Sequence, residues 1–330
     1  MRVLITGGSG YIGTATAWEL LKHGYEVWIH DLVRPDAELV PINRMCFSLG
    51  DAPRPDAVIH LAAKTSVPES LRDPLAYYHA NVAQTIDLLA WMRTYKVPKL
   101  VFASSAAVYT LSNTHPASTL LMPPPSPYGR SKLMCERILA DCAAADGVSV
   151  VALRYFNVAG AIMTDEFQHG YRKRPPQHLI PLAVSKCVSG EPLPVFGRPG
   201  TDTEPVRDFV HVADVAEANR RALELDHTGF LALNVGTGVG TTVSQVVAEV
   251  EKATGIQVRT SVEPPRAGEL RELVDRGRHE TERVLGWAPS RGLGEIVRSD
   301  VEWFLHHEHH EKGGEHVGPG PLAPTVEHAR

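Results

Sequence analysis

The sequence predicts an α/β protein in which a doubly wound parallel sheet is joined to a smaller lobe of mixed α/β structure. Three observations lead to this fold class. Apolar strand-like runs alternate with amphipathic helical segments through the first half of the 330 residues, which is the pattern of a parallel sheet covered on both faces. A glycine-rich turn follows the first strand directly. After about residue 155 the alternation stops, and Pro-rich connections such as Pro192–Pro199 begin.

The elements of the first half are assigned in chain order. Val3–Thr6 is the predicted first strand and Tyr11–His23 is its helix, which Gly24 is placed to end. The further predicted strands are Val27–His30, Ala57–Ala62, Lys99–Ser104 and Val148–Tyr155, and the further helices are Thr85–Tyr95 and Ser131–Ala145. Much later, Phe230–Val235 is a strand-like run, and we expect it to return to the main sheet.

The third strand of the sheet is predicted to be short or displaced. Only residues 52–56 lie between Asp51 and the strand that begins at Ala57. A parallel crossover normally needs a dozen or more residues, usually with a helix. The short segment spans at most roughly 20 Å, which is barely enough to return along a strand and pass two neighbours.

These patterns divide the chain into three parts. Residues 1–155 form the first lobe, to which segments near 206–240 return, and residues 156–311 form most of the second lobe. Residues 312–330 are largely Gly, Pro, His and Glu and offer little to bury. We therefore expect a disordered tail there.

Composition excludes several classes of partner. The 33 basic and 38 acidic residues give a net charge of −5, which favours neither nucleic acid nor an anionic membrane. There is no run of about 18 apolar residues, so we expect no membrane span, and Met1–Thr6 is predicted to be a strand rather than a signal peptide. The cysteines lack a Cys-x-x-Cys pair, which favours a reduced cytoplasmic protein without a zinc site. They are Cys46, Cys135, Cys142 and Cys187.

The glycine-rich turn has the spacing of a dinucleotide-binding fingerprint. Gly7 permits the tight turn, Gly10 lets the backbone approach a pyrophosphate, and Gly13 lets helix and strand pack closely. The helix N-terminus adds N–H groups and a partial positive charge. Asp31 ends the second strand, where a carboxylate accepts hydrogen bonds from the adenosine ribose and repels a 2′-phosphate. We therefore predict that the first lobe binds NAD rather than NADP.

Two polar residues near this turn have alternative roles. Lys64 follows the small residues Ala62 and Ala63, which would let the backbone lie against the cofactor, and it either faces the pyrophosphate or is solvated. Asn81 either reaches the nicotinamide ribose or is a satisfied helix residue.

A second motif supplies proton-transfer chemistry. Tyr128 and Lys132 are one helical turn apart, so their side chains share one face of a helix. The Lys132 ammonium and the positive ring of bound NAD⁺ are expected to lower the pKa of Tyr128, whose ordinary value of about 10 is too high for a base at neutral pH. Ser105, near the end of its strand, can donate to the same substrate oxygen. The alternative is a packed Tyr128 and a solvated Lys132.

With these motifs the chain resembles the extended short-chain dehydrogenases/reductases, and within their NAD-dependent epimerase/dehydratase family the UDP-glucose (UDP-galactose) 4-epimerases, over residues 1–305. The widely shared runs are Gly-Gly-Ser-Gly-Tyr-Ile-Gly at 7–13, Ser-Ser-Ala-Ala-Val-Tyr at 104–109 and Ser-Pro-Tyr-Gly-Arg-Ser-Lys-Leu-Met at 126–134. The further runs are Leu-Arg-Tyr-Phe-Asn-Val-Ala-Gly-Ala at 153–161, His-Leu-Ile-Pro at 178–181, Val-Arg-Asp-Phe-Val-His-Val at 206–212 and Leu-Gly-Trp at 285–287. The Arg-Tyr-Phe-Asn run is much more specific to the epimerases. The resemblance implies a Rossmann-type fold.

The resemblance also implies which residues bind each ligand. For NAD they are Gly7, Gly10, Tyr11, Ile12, Gly13, Asp31, Leu32, Asp51, Ala52, Leu61, Ala62, Ala63, Lys64, Asn81, Tyr128, Lys132 and Phe156. For the nucleotide sugar they are Ser105, Tyr128, Asn157, His178, Leu179, Val195, Phe196, Arg207, Arg266 and Glu269. Asn157 and the two arginines would contact the diphosphate, residues 178–179 would line the channel, and residues 195–196 would flank the uracil. Without the family, Arg207 is equally an ion-pair partner of Asp208, and Phe196 is equally ordinary core.

The chain departs from the family's pattern in several places. The 51–57 connection is short where relatives usually carry a helix. Glu269 stands where an Asp commonly binds the uridine ribose, and the loop Gly197–Pro205 lacks the usual Asp-Gly-Thr. Leu273 is of intermediate bulk at a position associated with N-acetyl sugars. These departures leave the adenine pocket, the nucleotide base and the choice of sugar open.

The implied reaction is inversion at C4 of a nucleotide sugar through a transient 4-keto intermediate. Phenolate Tyr128, helped by Ser105, takes the proton of the 4-OH while C4 gives a hydride to NAD⁺. The keto sugar then swings about its diphosphate linkage and receives the hydride on its other face. NAD is regenerated, so we expect it to be retained tightly.

Other functions are kept as alternatives. The same reaction on an N-acetyl or uronic acid nucleotide sugar stays open. A nucleotide-sugar dehydratase or reductase is disfavoured, because dehydration typically needs an Asp-Glu pair where this chain has Ala106-Ala107. No arginine is clearly placed for decarboxylation of a uronic acid. A non-catalytic NAD-binding regulator would not need the intact set of Ser105, Tyr128 and Lys132.

Two surface features indicate further contacts. The two helices around 85–95 and 131–145 carry more apolar residues than the one face that packs on the sheet needs. The resemblance implies that these helices pair in a homodimer. The residues are Leu88, Leu89, Trp91, Met92, Leu133 and Met134. The His-rich run 306–310 is the other feature, but such residues at a helix end are more often solvated, so we predict no metal site.

Overall fold

A computed structural model describes residues 1–33, 44–110, 124–172, 175–197, 201, 204–264 and 270–311, with the side chains of 308–311 outside the description. In chain order the strands are β1 (Arg2–Thr6), β2 (Glu26–His30), β3 (Met45–Cys46), β4 (Ala57–His60), β5 (Lys99–Ser105), β6 (Ser149–Tyr155), β7 (Asn157–Ala159), β8 (Ile162–Met163), β9 (Gln168–His169), β10 (Leu193–Phe196), β11 (Val206–His211), β12 (Phe230–Val235), β13 (Gly240–Thr242), β14 (Thr260–Glu263) and β15 (Glu272–Leu273). The helices are α1 (Tyr11–Lys22), α2 (Val67–Arg72), α3 (Pro74–Tyr77), α4 (Gln84–Tyr95), α5 (Pro127–Asp146), α6 (Leu179–Ser189), α7 (Val212–Glu224), α8 (Val243–Thr254), α9 (Arg278–Leu285) and α10 (Leu293–Glu311).

Within the described residues, seven strands form a parallel central sheet in the order β12-β6-β5-β4-β1-β2-β3. Side chains alternate along a strand, so Val3 and Ile5 of β1 pack towards α1, α7 and α9, whereas Leu4 packs towards α4 and α5. Both faces of the sheet are therefore covered by helices. The predicted α/β, doubly wound fold class is confirmed.

Two helical segments begin earlier than the sequence pattern predicts. α5 begins at Pro127 rather than at residue 131, because the hydroxyl of Ser126 accepts a backbone N–H of the first turn (3.1 Å) and proline occupies the first helical position. α4 continues a helical stretch that starts with α3 and passes through a π-helical turn, Tyr78–Ala83. Tyr128 therefore lies in the first turn of α5.

The third strand is short, as the brief 52–56 connection predicts. β3 has two residues and pairs with β2 at the edge of the sheet. Between β3 and β4 the chain forms one 3₁₀ turn, Leu49–Asp51, and no crossover helix. Ala52 is buried in the same apolar cluster as Cys46 and Val58, so the connection crosses the face of the sheet that α4 and α5 cover.

The second lobe is built from short strands and three helices. β7, β13 and β15 pair with β11, and β10 pairs with β14. Helices α6, α8 and α10 surround an apolar core that includes Ile180, Val246 and Ile296. As predicted, β12 returns to the main sheet beside β6. The predicted tail, 312–330, lies outside the described residues.

The structure shows the burial of the cysteines and the character of the helices. All four cysteines carry free thiols; Cys142 is half-buried and the others are buried. Within the described part of the chain, no helix has the length and apolar character needed to cross a membrane.

Candidate active site

The glycine turn between β1 and α1 is so tight that neither Gly7 nor Gly13 admits a side chain. Gly7 has φ +70°, and a Cβ there would lie 2.6 Å from the backbone nitrogen of Ala62. A Cβ on Gly13 would overlap the carbonyl oxygen of Gly7. The structure thus contains the tight turn and the close helix–strand packing that the sequence spacing predicts.

The N-terminus of α1 is open on the side of Gly10. Gly10 precedes the helix without a capping side chain, and within 4 Å a Cβ there would meet only the carbonyl oxygen of Gly7, at 3.2 Å. The first-turn amides of Tyr11, Ile12 and Gly13 point out of this end, which is also the positive end of the helix dipole. A diphosphate fits this cradle, because its oxygens accept hydrogen bonds from such amides.

Asp31 lies on the other side of the glycine turn. It directly follows β2, and its carboxylate accepts hydrogen bonds from the backbone N–H groups of Ser9 (3.0 Å) and Val33 (3.3 Å). The carboxylate is half-buried, and the next residue, Leu32, is exposed. A fixed carboxylate with an open side is what binding of a ribose requires. The glycine turn and Asp31 together fit NAD, with the diphosphate on the α1 amides and the adenosine ribose on Asp31.

Three other predicted cofactor contacts lie further from the turn. Asp51 is exposed at the end of the 3₁₀ turn, whereas Ala52 beside it is buried. Phe156 directly follows β6 and is buried in a cluster with Tyr109 and Leu133. The contacts of these residues with the cofactor stay predictions.

Gly13→Ala is expected to abolish retention of NAD. The new Cβ would overlap the Gly7 carbonyl oxygen, so α1 has to move away from β1 and the cradle of amides opens. NAD released on denaturation is measured with an enzymatic cycling assay; wild type should release NAD and the variant almost none. Gly292→Ala is the control, because a Cβ there meets nothing within 4 Å. Equal release from both variants would contradict this role of Gly13.

The side chain of Tyr11 belongs to the junction with the second lobe and not to the cofactor cradle. Its hydroxyl donates to the carbonyl oxygen of Gly160, and its backbone carbonyl lies 2.8 Å from Nε2 of His169. Its ring is edge-on to that of Tyr171. The predicted cofactor contact of Tyr11 is therefore restricted to its backbone amide.

A buried carboxylate lies at the same junction. Asp300 accepts a hydrogen bond from the backbone N–H of Gly160 (3.2 Å), the residue whose carbonyl Tyr11 contacts. Burial raises the pKa of Asp300 to about 7. Burial first, and then the negative charge of Asp300, raises the pKa of Tyr11.

Asp300→Asn is expected to stabilise the protein more at pH 8 than at pH 5. Because burial raises the pKa of Asp300 from 3.8 to about 7, the stability it contributes is fully present below about pH 4 and is lost as the pH rises through 7. Asparagine keeps an acceptor for Gly160 and carries no charge. The gain in the free energy of unfolding, measured with urea, should grow by about 2 kcal/mol between the two pH values. A pH-independent gain would show that Asp300 does not titrate in this way.

The segment after β4 lies against the glycine turn. The backbone N–H of Leu61 donates to the carbonyl of Thr6 (2.9 Å), and the backbone of Ala62 is what a Cβ on Gly7 would meet first. The contacts of Leu61, Ala62 and Ala63 with the cofactor stay predictions. This edge of the sheet therefore places the ends of β1, β2 and β4 around one cradle.

The amide of Asn81 is used within the protein. Its Oδ1 accepts the backbone N–H of Lys64 (2.8 Å), and its Nδ2 donates to the Lys64 carbonyl and to Ser131 Oγ (both 3.0 Å). The side chain is 2% exposed. Of the two alternatives, the structure shows the satisfied helix residue, which ties the segment after β4 to α5. The Lys64 ammonium forms a half-exposed ion pair with Glu69 (2.8 Å).

His60 is a site residue that sequence analysis missed. Its Nδ1 lies 2.6 Å from Thr6 Oγ1 and its Nε2 lies 3.0 Å from Thr85 Oγ1, which donates to the carbonyl of Asn81. Burial lowers the pKa of His60 to about 3, so the ring is neutral. The ring connects the glycine-turn strand to the π-helical turn. A histidine at the end of an otherwise apolar strand was the signal that could have indicated it.

Ser105 and Tyr128 meet at the C-terminal end of β5. The hydroxyl of Ser105 accepts the backbone N–H of Ala107 (3.1 Å) and so caps the 3₁₀ turn Ala106–Val108. It also acts on the pKa of Tyr128, which it lowers. The serine and tyrosine that the sequence pairs are therefore brought close together at the C-terminal end of β5.

Lys132 is buried one turn further along α5. Its Nζ donates to the carbonyl oxygen of Ala103 (2.7 Å) and lies 4.8 Å from the centre of the Phe102 ring. It is 3% exposed, and burial lowers its pKa to about 8. The alternative of a solvated Lys132 is wrong.

The pKa of Tyr128 differs from the expectation. Burial raises the pKa of Tyr128, and the hydrogen bond with Ser105 offsets this only in part. The predicted lowering is therefore wrong for the protein groups by themselves, because desolvation of the phenolate dominates. A positive charge placed against the ring, as the nicotinamide of NAD⁺ would supply, acts in the opposite direction.

Several of the residues predicted to bind the nucleotide sugar lie on or beside β7, α6 and β10. Asn157 begins β7, and His178 precedes α6, its ring edge-on to Tyr171 at 4.9 Å. Leu179 is the first residue of α6. Val195 is buried in the core of the lobe, so its predicted contact with uracil is restricted to its backbone.

Phe196 and Arg207 each had an alternative role: Phe196 as ordinary core, and Arg207 as an ion-pair partner of Asp208. Phe196, at the end of β10, is only half-buried and so is not ordinary core. Arg207 and Asp208 are successive residues of β11 and so point to opposite faces. Asp208 accepts the backbone N–H groups of Thr237 and Gly238 (both 2.8 Å). This arrangement does not favour an Arg207–Asp208 pair.

Leu273 of β15 lies opposite Arg207 in the strand register. It also packs against the cluster that contains Tyr109 and Phe156, so it links the catalytic edge to the second lobe. Arg266 and Glu269 lie outside the described residues. The predictions for these two stay predictions.

The His-rich end of α10 is described in part. Nδ1 of His307 lies 3.0 Å from the carbonyl oxygen of Trp303, and its ring packs on that of the tryptophan. Among the described side chains, no three or more His, Cys, Asp or Glu residues are grouped to hold a metal ion.

Sequence comparison relates the chain to known proteins over most of its length. The profile of the NAD dependent epimerase/dehydratase family matches residues 3–236. The UDP-glucose 4-epimerase of Bacillus subtilis is 38% identical over 335 aligned positions, which cover 92% of this chain and 96% of that protein.

Structural comparison leads to the same group. The UDP-glucose-4-epimerase of Stenotrophomonas maltophila, solved with NAD and formylated UDP-arabinopyranose, has a TM-score of 0.84 and 34% identity, covering 94% of this chain and 99% of that one. The UDP-glucose 4-epimerase of Bifidobacterium longum, solved with NAD⁺ and UDP, has a TM-score of 0.84 and 30% identity, covering 93% and 99%.

Proposed function

The chain belongs to the NAD dependent epimerase/dehydratase family, and on that premise we propose that it interconverts UDP-glucose and UDP-galactose by inverting C4. The observation that carries this proposal is geometric: the first turn of α5, with Tyr128, packs on the 3₁₀ turn that Ser105 caps, and Lys132 is buried one turn further along, held by the Ala103 carbonyl. All three residues lie at the C-terminal end of the parallel strands, where the glycine turn also lies. Relatives that cover nearly the whole chain are UDP-glucose 4-epimerases. NAD is therefore its cofactor.

The residues divide the chemistry between them. Tyr128 takes the proton of the sugar 4-OH and later returns it, while Ser105 hydrogen-bonds the same oxygen. Lys132, fixed by the Ala103 carbonyl one turn after Tyr128, is the proposed positive charge for this end of the site. NAD, held by the glycine turn and Asp31, would supply the hydride acceptor for C4 of the sugar and the hydride donor for the opposite face. The reaction has no net redox change, so the cofactor can stay bound between turnovers.

We assign nucleotide binding to the second lobe, within residues 156–311. Asn157, His178, Phe196 and Arg207 are the proposed described contacts. Their support is that β7 and β15 both pair with β11, so Asn157 and Arg207 belong to one small sheet next to the end of β6. A guanidinium on this sheet suits a diphosphate, which it can bind with two parallel hydrogen bonds.

Dehydration does not fit the turn that follows Ser105. The positions where a dehydratase would need its acid and base are Ala106 and Ala107, in the 3₁₀ turn capped by Ser105. Methyl groups cannot transfer the protons of an elimination. The site supports oxidation and re-reduction at one carbon.

The test is conversion of each pure substrate without added cofactor. Purified protein is incubated with UDP-glucose or UDP-galactose, and the anomeric protons are followed by NMR. Both reactions should reach the same mixture. Failure with both hexoses, together with conversion of UDP-N-acetylglucosamine or UDP-glucuronic acid, would replace the proposed sugar.

We further propose a homodimer that forms through α4 and α5. The residues predicted to form this contact need correction, because Leu88, Met92 and Leu133 are buried in the monomer. The support comes from the adjacent helices' outward apolar side chains, Ile86 (47% exposed) and Met134 (43% exposed). Exposed apolar side chains on two helices that contact each other are available for a protein contact.

The double variant Ile86→Glu/Met134→Glu is expected to be monomeric. Two carboxylates in an apolar contact would have to be desolvated without partners, which opposes association. Mass is measured by light scattering after gel filtration. Val262→Glu, at an exposed position in β14, is the control and should leave the dimer intact. A dimeric double variant would place the contact elsewhere.

We place the protein in the cytoplasm. Support comes from its free thiols, three of them buried, because a reducing compartment keeps such cysteines unpaired.

A further inference from the structure

A chain of buried polar side chains starts beside the catalytic residues. Glu136 lies one helical turn after Lys132 on α5 and forms a two-point ion pair with Arg154 of β6, at 2.6 and 2.9 Å. Both side chains are 4% exposed. Ser104, which precedes Ser105, donates to the same carboxylate (2.5 Å). The Glu136 carboxylate is thus bonded to side chains of two neighbouring strands: Ser104 of β5 and Arg154 of β6.

Tyr109 continues the chain towards the second lobe. Its hydroxyl accepts a hydrogen bond from Arg154 Nη1 (3.1 Å) and donates to Asn234 Oδ1 (2.6 Å) on β12. Burial raises the pKa of Tyr109 to about 12, so the hydroxyl keeps its proton. Its ring lies directly after the 3₁₀ turn that Ser105 caps. Tyr109 therefore connects the Glu136–Arg154 pair to the outer strand of the main sheet.

The chain ends at the substrate-facing strands. Asn234 Nδ2 donates to Asp275 Oδ1 (2.7 Å), and the backbone N–H of Asp275 donates to Asp208 (3.1 Å). Asp275 lies just after β15, and Asp208 follows Arg207 on β11. The buried hydrogen bonds therefore run from Ser104 and Glu136, which are neighbours of the acid–base residues along β5 and α5, to Asp208, which is the neighbour of Arg207 on β11.

We propose that Tyr109 is a positioning residue, whose hydroxyl aligns the Ser105–Tyr128 pair with the nucleotide sugar held by the second lobe. This inference rests on the proposed function. Its hydroxyl joins two halves of a buried polar chain, and such chains fix geometry because each member is costly to leave unpaired. Small errors of alignment between base and substrate reduce rate strongly while binding changes little.

Tyr109→Phe is the test, since phenylalanine keeps the ring and its packing. We expect kcat to fall about 10- to 100-fold with KM for the UDP-sugar and the NAD content nearly unchanged. Tyr155→Phe is the matched control. Tyr155 is also buried, at the end of β6, but its hydroxyl donates to Asn219 of α7 (2.6 Å), which does not belong to this set of hydrogen-bonded side chains. The control should keep kcat within about twofold at a similar loss of Tm.

Hydrogen exchange separates this inference from the proposed function. In wild type, UDP should protect amides of the second lobe and also those of residues 99–109 and 127–135. In Tyr109→Phe only the second-lobe protection should remain. An inactive wild type that still shows this pattern would count against the sugar assignment and not against Tyr109. Equal kcat in the two variants, or unchanged protection in Tyr109→Phe, would overturn the positioning role.

Discussion

Tyr128→Phe is expected to lower kcat about 10²- to 10⁴-fold, which is the range that a positioned acid–base group contributes. Phenylalanine keeps the buried ring but removes the group that exchanges a proton with the sugar oxygen. Ser105 keeps its capping hydrogen bond to Ala107, so the turn should be preserved. Retained NAD is expected to equal that of wild type, because the glycine turn and Asp31 are untouched.

Tyr25→Phe is the matched control for this prediction. The Tyr25 hydroxyl donates to Glu224 (2.8 Å) next to the start of β2, at the opposite end of the sheet from the catalytic edge. It should leave kcat unchanged. Activity of Tyr128→Phe within threefold of wild type would remove Tyr128 from the mechanism.

Arg154→Met is expected to destabilise the protein by about 3–5 kcal/mol, because it leaves the Glu136 carboxylate buried without its cation. Burial alone opposes the charge of Arg154, and the hydrogen bonds with Glu136 more than offset this, so that the pKa of Arg154 is raised. The free energy of unfolding is measured with urea. Adding Glu136→Gln should recover part of the loss, since it removes the unpaired charge.

Arg93→Met is the control for the buried pair. Arg93 forms an ion pair with Asp146 at 2.8 Å, but its side chain is exposed. Solvent weakens such a pair, so its removal should cost far less than Arg154→Met. Equal losses, or a double variant no more stable than Arg154→Met, would show that the buried charge is not the cause.

The sequence pattern alone predicted the residues whose roles depend on their immediate neighbours along the chain. Gly7 and Gly13 have their predicted roles because strand, turn and helix follow each other directly in the sequence. The spacing of Tyr128 and Lys132 likewise placed both on one helix. The 52–56 segment is too short for a normal crossover, and this reach alone predicted that β3 is short. The fold class followed from these features and from strand periodicity.

Contacts between residues distant in sequence could not be predicted from local sequence patterns. Asn81 and His60 are fixed by hydrogen bonds to residues distant in sequence, so the two alternatives for Asn81 could not be separated and His60 was not recognised. The pKa of Tyr128 depended on burial, which residue spacing does not report. Strands of two or three residues in the second lobe are too short for periodicity, so proposed substrate contacts such as Asn157 rest on family resemblance alone.

Transfer of hydrogen at C4 tests the central claim most directly. UDP-glucose carrying deuterium at C4 is incubated with the purified protein in ordinary water without added NAD, and the UDP-galactose formed is examined by NMR. Our account predicts product that keeps its deuterium at C4, because the hydride leaves and returns within one bound complex. Product with hydrogen from water at C4, or no epimer at all, would contradict it.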